Sequence, residues 1–411
     1  MTSLRLKPAW IIVLMGMLCV VTPFAIDMYL PSFGSIAKEF NTTTYVISFS
    51  LSSYFIGFAL GQVLYGPFLD RFGRKKPLYV GLVVYILASI GCSLSHSIHT
   101  FIAFRFIQAL GGCVAQVAAI AMVRDFFPIK EGAKIFSMLF LIIGISPLLA
   151  PSIGSALVSA LGWRWIFAIL AAYAFTTFAL VATLLPEGHQ PDPSISLRLG
   201  PIVQNFWTIF KQPQFTAYSL AGAFSFGGLF GFVAGSPIIF MEVFHVSART
   251  FGLIFAGLAT GFIGSNQINV LLLRRFSSAQ IFLGSLLIEC PTALLFLAGS
   301  YCHWFGLAAT LALLFICLSS LGLAYPNAAA LAMSPFERNI GSASAMLGFL
   351  QIGVSGLASA TIGLLDSHQI MPVAFILASM SWVGLGIYLV GRRNMGQLRF
   401  VEEKDAMPLT H

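Results

Sequence analysis

The feature that most constrains this chain is the recurrence of apolar runs long enough to cross a lipid bilayer. A helix spans ~30 Å of hydrocarbon with about 20 mainly apolar residues. Runs of that length, separated by polar or Pro/Gly-marked breaks, fall at 9–30, 44–66, 77–95, 100–123, 135–159, 163–185, 216–240, 250–273, 279–299, 303–327, 338–364 and 371–391. Inside lipid every backbone N–H and C=O must be satisfied within its own segment, so these runs are predicted to be helices. The expected fold class is an all-α integral membrane protein with twelve spans. Composition agrees. Only 9% of the 411 residues are charged, against about 25% in an ordinary soluble domain, which is too few to build a water-facing surface. An apolar content of 58% with 39 Phe excludes disorder. Six Cys in this length do not suggest a disulfide framework. The first run follows Arg5 and Lys7 but is too long for a signal-peptide core and lacks a small-x-small cleavage site, so it is expected to stay as a span.

The positions of the basic residues give an orientation. With the N-terminus inside, the inner segments hold eighteen: Arg5, Lys7, Arg71, Arg74, Lys75, Lys76, Arg124, Lys130, Lys134, Arg198, Lys211, Arg274, Arg275, Arg338, Arg392, Arg393, Arg399 and Lys404. The outer segments hold three, Lys38, Arg164 and Arg249, and Arg105 alone lies within a span. This excess predicts a multi-pass membrane protein with both termini cytoplasmic. It also accounts for the net charge of +8, so no nucleic-acid partner is expected. The longest break, 186–215, divides the spans six and six, with Pro186, Pro191 and Pro193 early in it. The expected organisation is an N-terminal half (1–185), a cytoplasmic linker (186–215), a C-terminal half (216–391) and a cytoplasmic tail (392–411). Two six-helix halves are the layout of many secondary transporters.

A charge at mid-membrane costs on the order of 2.5–3.5 kcal/mol on insertion scales, so such residues point to function. Three lie deep here: Asp27, Arg105 and Glu289. Asp27 falls near the outer end of span one. Arg105 sits only about 8 Å down span four from the same side, at 1.5 Å per residue. A carboxylate and a guanidinium at one depth can neutralise each other across a cavity, either as a permanent pair or as an exchanging, proton-carrying one. Arg105, Gln108, Gly112 and Gln116 share one stripe of span four. That stripe either lines a cavity or bonds neighbouring helices. Glu289 precedes Cys290-Pro291 and reads as a protonated, hydrogen-bonded part of a kink in preference to a second proton site.

The break after span two reads Gly66-Pro67-Phe68-Leu69-Asp70-Arg71-Phe72-Gly73-Arg74-Lys75-Lys76. It resembles the Gly-x-x-x-Asp-Arg-x-Gly-Arg-Lys signature loop of the major facilitator superfamily, with Gly66, Asp70, Arg71, Gly73 and Arg74 at the family spacing. Arg105-Phe106-Ile107-Gln108 is similar to its span-four motif, which implies a proton-coupling role for Arg105 and Gln108 with Asp27. The stretch 144–154 resembles the span-five motif of the drug:proton antiporters, through Gly144, Pro147, Pro151 and Gly154. Ser155 stands where that motif closes on a second Gly. In the family this face is taken to seal the two halves together. Ile26-Asp27-Met28-Tyr29-Leu30-Pro31 and Gly162-Trp163-Arg164-Trp165 resemble the Bcr/CflA (bicyclomycin and chloramphenicol resistance) group.

The resemblance implies a proton-coupled antiporter that exports apolar drug-like compounds by alternating access, with Asp70, Arg71 and Arg74 as an inner gate. A dedicated exporter of one metabolite or siderophore is the nearest alternative. Tyr29, Tyr54, Gln116, Phe226, Tyr325 and Asn327 are candidate cavity residues, suited to aromatic and hydrogen-bonding contact. Neither a His-Glu-x-x-His pair nor a phosphate-cradling Gly-rich loop occurs, so no enzyme, cofactor or metal is expected. The expected partners are a small-molecule substrate, the proton and the bilayer, for a chain acting as a monomer.

Overall fold

The computed structural model describes residues 8–127, 129–187, 191–193, 199–336, 340–365 and 369–394. The expected tail beyond Asn394, and Arg5, Lys7, Arg198, Arg338, Arg399 and Lys404 of the orientation argument, lie outside them. Fourteen helices account for most of the described residues: α1 (Pro8–Asp27), α2 (Phe33–Glu39), α3 (Thr44–Phe72), α4 (Lys75–Ser93), α5 (Ile98–Phe126), α6 (Ile129–Leu161), α7 (Arg164–Leu184), α8 (Leu199–Phe210), α9 (Pro213–Pro237), α10 (Ala248–Leu272), α11 (Ser278–Tyr301), α12 (Leu307–Met333), α13 (Ile340–Leu364) and α14 (Met371–Asn394). All but α2 and α8 are long and apolar enough to span a bilayer, which makes twelve. No strand occurs among the described residues.

Helix starts are marked by hydroxyls that take up orphan N–H groups. Thr43, Ser97, Ser247 and Ser277 each accept from the first turn of the following helix, and Ser277 forms a capping box with Gln280. Pro237 closes α9 into a π-helical turn, Ile238–Val243. At 1.5 Å per residue the 29-residue α3 is about 44 Å long, so it outruns the hydrocarbon and projects or tilts.

Helices α1 and α3–α7 pack on one another as one half, and α9–α14 as the other. The main contacts between the halves among the described residues run along a long seam, α3 against α13 and α6 against α10, and α3 also touches α9. The ends of the bundle are distinguished below by the residues they carry, the Pro31 end and the Arg74 end. Toward the Pro31 end the seam is laced by Thr44 Oγ1 donating to Glu242, by Ser48 Oγ donating to the Ala234 carbonyl (3.5 Å) and by Ser52 Oγ donating to Ser359 Oγ (2.9 Å). Phe55 and Phe230 meet edge to face across it, with centroids 4.5 Å apart.

The break at 186–215 contains the helix α8 after its prolines. Ile209 is buried against α9, and Asn205 Nδ2 donates to Ser342 Oγ of α13 (2.8 Å), so this segment is fastened to the C-terminal half.

Candidate functional site

Asp27 is the last residue of α1. The chain then turns through Met28 and Tyr29 into a short 3-10 turn, Leu30–Ser32, because Pro31 cannot extend an α-helix. Asp27 is 6% exposed. Among the described residues its carboxyl has neither a hydrogen-bonding partner nor a basic residue within salt-bridge distance. Gly154 of α6 lies against this break. A Cβ at 154 would overlap the Met28 carbonyl oxygen, so only glycine lets α6 approach the backbone beside Asp27 this closely.

Arg105, on α5, is completely buried. Its guanidinium carbon lies 4.3 Å from the Tyr54 ring centroid, 4.4 Å from Tyr29 and 5.6 Å from Phe167. Three helical segments thus wrap one cation in aromatic faces, which attract it through their quadrupoles. Arg105 Nη1 donates to Gln108 Oε1 (2.6 Å), and Gln108 Nε2 donates to Ser89 Oγ on α4 (2.7 Å). Nε and Nη2 of Arg105 have no hydrogen-bond partner among the described residues. Of the two readings of Asp27 and Arg105, a permanent pair and an exchanging one, the permanent pair is not what this conformation shows: the two groups are not paired, and the cation is held by rings and one amide. Tyr29 and Tyr54 are fully buried in the cage, so they are not cavity walls here. The stripe on α5 divides likewise. Gly112 packs on Tyr85 of α4, Gln108 serves the Arg105 network, and only Gln116 is left half-buried.

On the facing half, Phe226 stacks on Tyr325 with centroids 4.6 Å apart and meets Phe230 edge to face at 5.3 Å. All three rings are half-buried. Asn327 is separate from them: it is buried and donates to Asn269 Oδ1 of α10 (2.7 Å) and to the Leu323 carbonyl. Glu289 accepts from Ser225 Oγ of α9 (2.8 Å), and the carbonyl of Cys290 accepts from Trp382 Nε1 (3.2 Å).

At the Arg74 end the signature loop forms a closed network. Gly73 ends α3 with φ +84°, a left-handed value that favours glycine. Arg74 Nη1 donates to Asp70 Oδ1 (2.6 Å) and its Nε to Asp125 Oδ2 of α5 (2.7 Å). Burial opposes the Arg74 charge, but the hydrogen bonds to Asp125 and Asp70 outweigh it and hold its pKa above the usual arginine value. Glu187, just past α7, accepts from the backbone N–H groups of Arg74 (2.6 Å) and Lys75 (3.2 Å), capping α4. The Asp192 N–H donates to the Asp70 carbonyl (3.2 Å). This network ties helices within the N-terminal half. A Cβ at Gly66 would meet open space among the described residues, and Arg71 lies over Phe72, 5.8 Å from its centroid.

The α6 motif also works on two faces. Gly154 serves the Met28 break, while Gly144 faces Ile263 of α10 at 3.9 Å and the backbone of Ser152 lies against Gly252 of α10. Pro151 is buried and Pro147 half-buried within the same helix. Sequence reasoning missed Asp125, Glu187 and Glu242, and also Glu39, which joins α2 to Trp163 (2.6 Å) and Arg164 (2.7 Å). Each is an acidic residue at a helix end, where one more charge draws no notice.

A bundle of twelve spans in two halves, with the signature loop closed on its own arginine, is the architecture of a membrane transporter. The Major Facilitator Superfamily model matches residues 15–360, and the chain belongs to that family. It is 31% identical over 393 residues to an uncharacterized MFS-type transporter, YdgK, of Bacillus subtilis (93% of this chain, 96% of the relative). It is 30% identical over 400 residues to a bicyclomycin resistance protein homolog of Haemophilus influenzae (95% and 98%). Among solved structures, a D-xylose-proton symporter superposes with a TM-score of 0.72 at 17% identity, covering 93% of this chain and 98% of that one. That likeness shows the fold. The resemblance to the Bcr/CflA group holds across almost the whole chain.

Proposed function

We propose that this chain is a proton-coupled antiporter of the bacterial inner membrane that exports apolar drug-like compounds by alternating access. The Arg74 end faces the cytosol, with both termini on that side, and the halves 1–185 and 216–391 move about the linker 186–215 as a monomer. The observation that carries the reading is a buried carboxyl, Asp27, with no partner among the described residues, at a helix break two residues before Tyr29 of the cage around Arg105.

Such a carboxyl is tolerated when a proton neutralises it, because an ionised form without a partner is costly in a low-dielectric interior. The separated arrangement then corresponds to the proton-loaded step. Loss of the proton leaves Asp27 negative, and its attraction for Arg105 strains the cage of Tyr29, Tyr54 and Phe167. Gln108 transmits that change to Ser89 on α4. The half-buried rings of Phe226, Phe230 and Tyr325 offer an apolar, adaptable surface to the substrate from the opposite half. Substrate that favours the deprotonated state must, by reciprocity, favour proton release. The seam laced toward the Pro31 end supports a cavity opening toward the Arg74 end, where Arg74, Asp70 and Asp125 hold the N-terminal helices as a unit.

The relatives' names, bicyclomycin resistance protein homolog and chloramphenicol resistance protein, support the choice of substrate class. The test is efflux from proteoliposomes under an imposed pH gradient with a chemically diverse panel. The parent protein should accumulate compounds against their gradient, whereas Asp27→Asn should bind them and no longer respond to the gradient. Gradient-driven export by Asp27→Asn would remove the coupling role.

A further inference from the structure

From the surface at the Arg74 end of the C-terminal half we infer a binding site for one anionic phospholipid, seated between α9 and α14. The groove there has a volume of about 520 Å³ and is lined by Pro213, Thr216, Ala217, Gly386, Ile387 and Val390, among others. Its wall is apolar: the Thr216 hydroxyl is turned back to the Gln212 carbonyl of its own helix (3.1 Å). The groove exists because α14 presents glycine. A Cβ at Gly391 would lie 2.5 Å from Ala217, so the helices touch at the end of the groove, whereas a Cβ at Gly386 would meet open space.

Three side chains close in sequence to the lining residues give the site its selectivity. Lys211 precedes Pro213 by two residues, Arg392 follows Gly391 directly, and both are exposed. Trp207 of α8 is 59% exposed, stacks on Phe210 (centroids 6.2 Å) and has Lys211 Nζ 5.7 Å from its ring centroid. A tryptophan at a helix surface beside lysine, with Val203 also exposed, is the pattern of a helix lying in the headgroup layer. Residues 193–241 and 371–394, which supply the groove and these cations, contain no Asp or Glu. An acyl chain suits the apolar groove, and a phosphate suits the cations Lys211 and Arg392 that border its lining residues in sequence. The occupant is a diacyl lipid with a negative headgroup, drawn from the leaflet at the Arg74 end.

Purified protein in detergent, titrated with dioleoyl-phosphatidylglycerol or dioleoyl-phosphatidylcholine and read by native mass spectrometry, tests this. A basic residue near an anionic surface contributes enough for roughly fivefold in affinity, so Lys211→Gln with Arg392→Gln should weaken phosphatidylglycerol binding about thirtyfold and leave phosphatidylcholine unchanged. Lys211→Arg with Arg392→Lys should retain the preference. Gly386→Leu fills the groove without displacing a neighbour and should lower occupancy by both lipids while the protein stays monodisperse. Equal binding of the two lipids by the parent protein would overturn the site. So would an undiminished preference in the double Gln variant, or displacement of the lipid by glycerol phosphate alone at equal concentration.

Discussion

Arg105 in the N-terminal half and Glu289 in the C-terminal half are both buried, ionisable and set on spanning helices, yet their surroundings have opposite character. Arg105 is enclosed by three aromatic rings and keeps two donors without partners. Glu289 takes one hydrogen bond from Ser225 in a small-residue environment near Cys290. The first arrangement leaves an unneutralised charge, which a conformational change can exploit. The second joins α11 to α9 and has no ion-pairing cation among the described residues. Symmetry of helix count thus coexists with division of labour: the N-terminal half holds charge, and the C-terminal half offers the half-buried rings of Phe226, Phe230 and Tyr325.

The strongest way to break this contrast is Arg105→Met, which fills the cage without a charge. Coupling free energies of about 1–3 kcal/mol correspond to losses of roughly 5- to 150-fold, and gradient-driven efflux should fall within that range. Stability should move the other way, because an unpaired buried cation is replaced by an apolar side chain of similar volume. Thermal unfolding in detergent reads the sign, and a lower midpoint with intact efflux would remove the argument. A smaller change is expected for Phe226→Ala. Loss of its stacking with Tyr325 removes about 0.5–1.5 kcal/mol of aromatic contact, so apparent affinity for planar substrates should drop up to about tenfold while the dependence on pH gradient persists. A binding titration beside an efflux assay separates the two. The least effect belongs to Glu289→Gln, where Ser225 still finds an acceptor and stability should change by about 1 kcal/mol or less. A pH profile displaced as far as that of Asp27→Asn would make Glu289 a proton site after all.

The fold was legible because twelve apolar runs leave the backbone no alternative to helices. Boundaries were less so: α6 begins at Ile129, six residues before the apolar run at 135, since its first turns carry Lys130 and Lys134. Of the candidate site, Arg105 stood out as the one basic residue in a span. Its cage did not, because Tyr29, Tyr54 and Phe167 come from a turn and two separate helices in a chain with 39 Phe and 11 Tyr. The bond from Thr44 to Glu242 joins residues 198 positions apart, and no local pattern announces it. Asp27 was recognised, but its pairing with Arg105 was inferred from depth alone, and depth fixes neither azimuth nor rotamer.

The amide of Asp192 is bonded to the carbonyl of Asp70 in the N-terminal half, while α8, beginning at Leu199, is bonded through Asn205 to α13 in the other. Both bonds belong to one short segment, so the covalent chain between Asp192 and Asn205 limits how far their partners, Asp70 and Ser342, can separate while both hold.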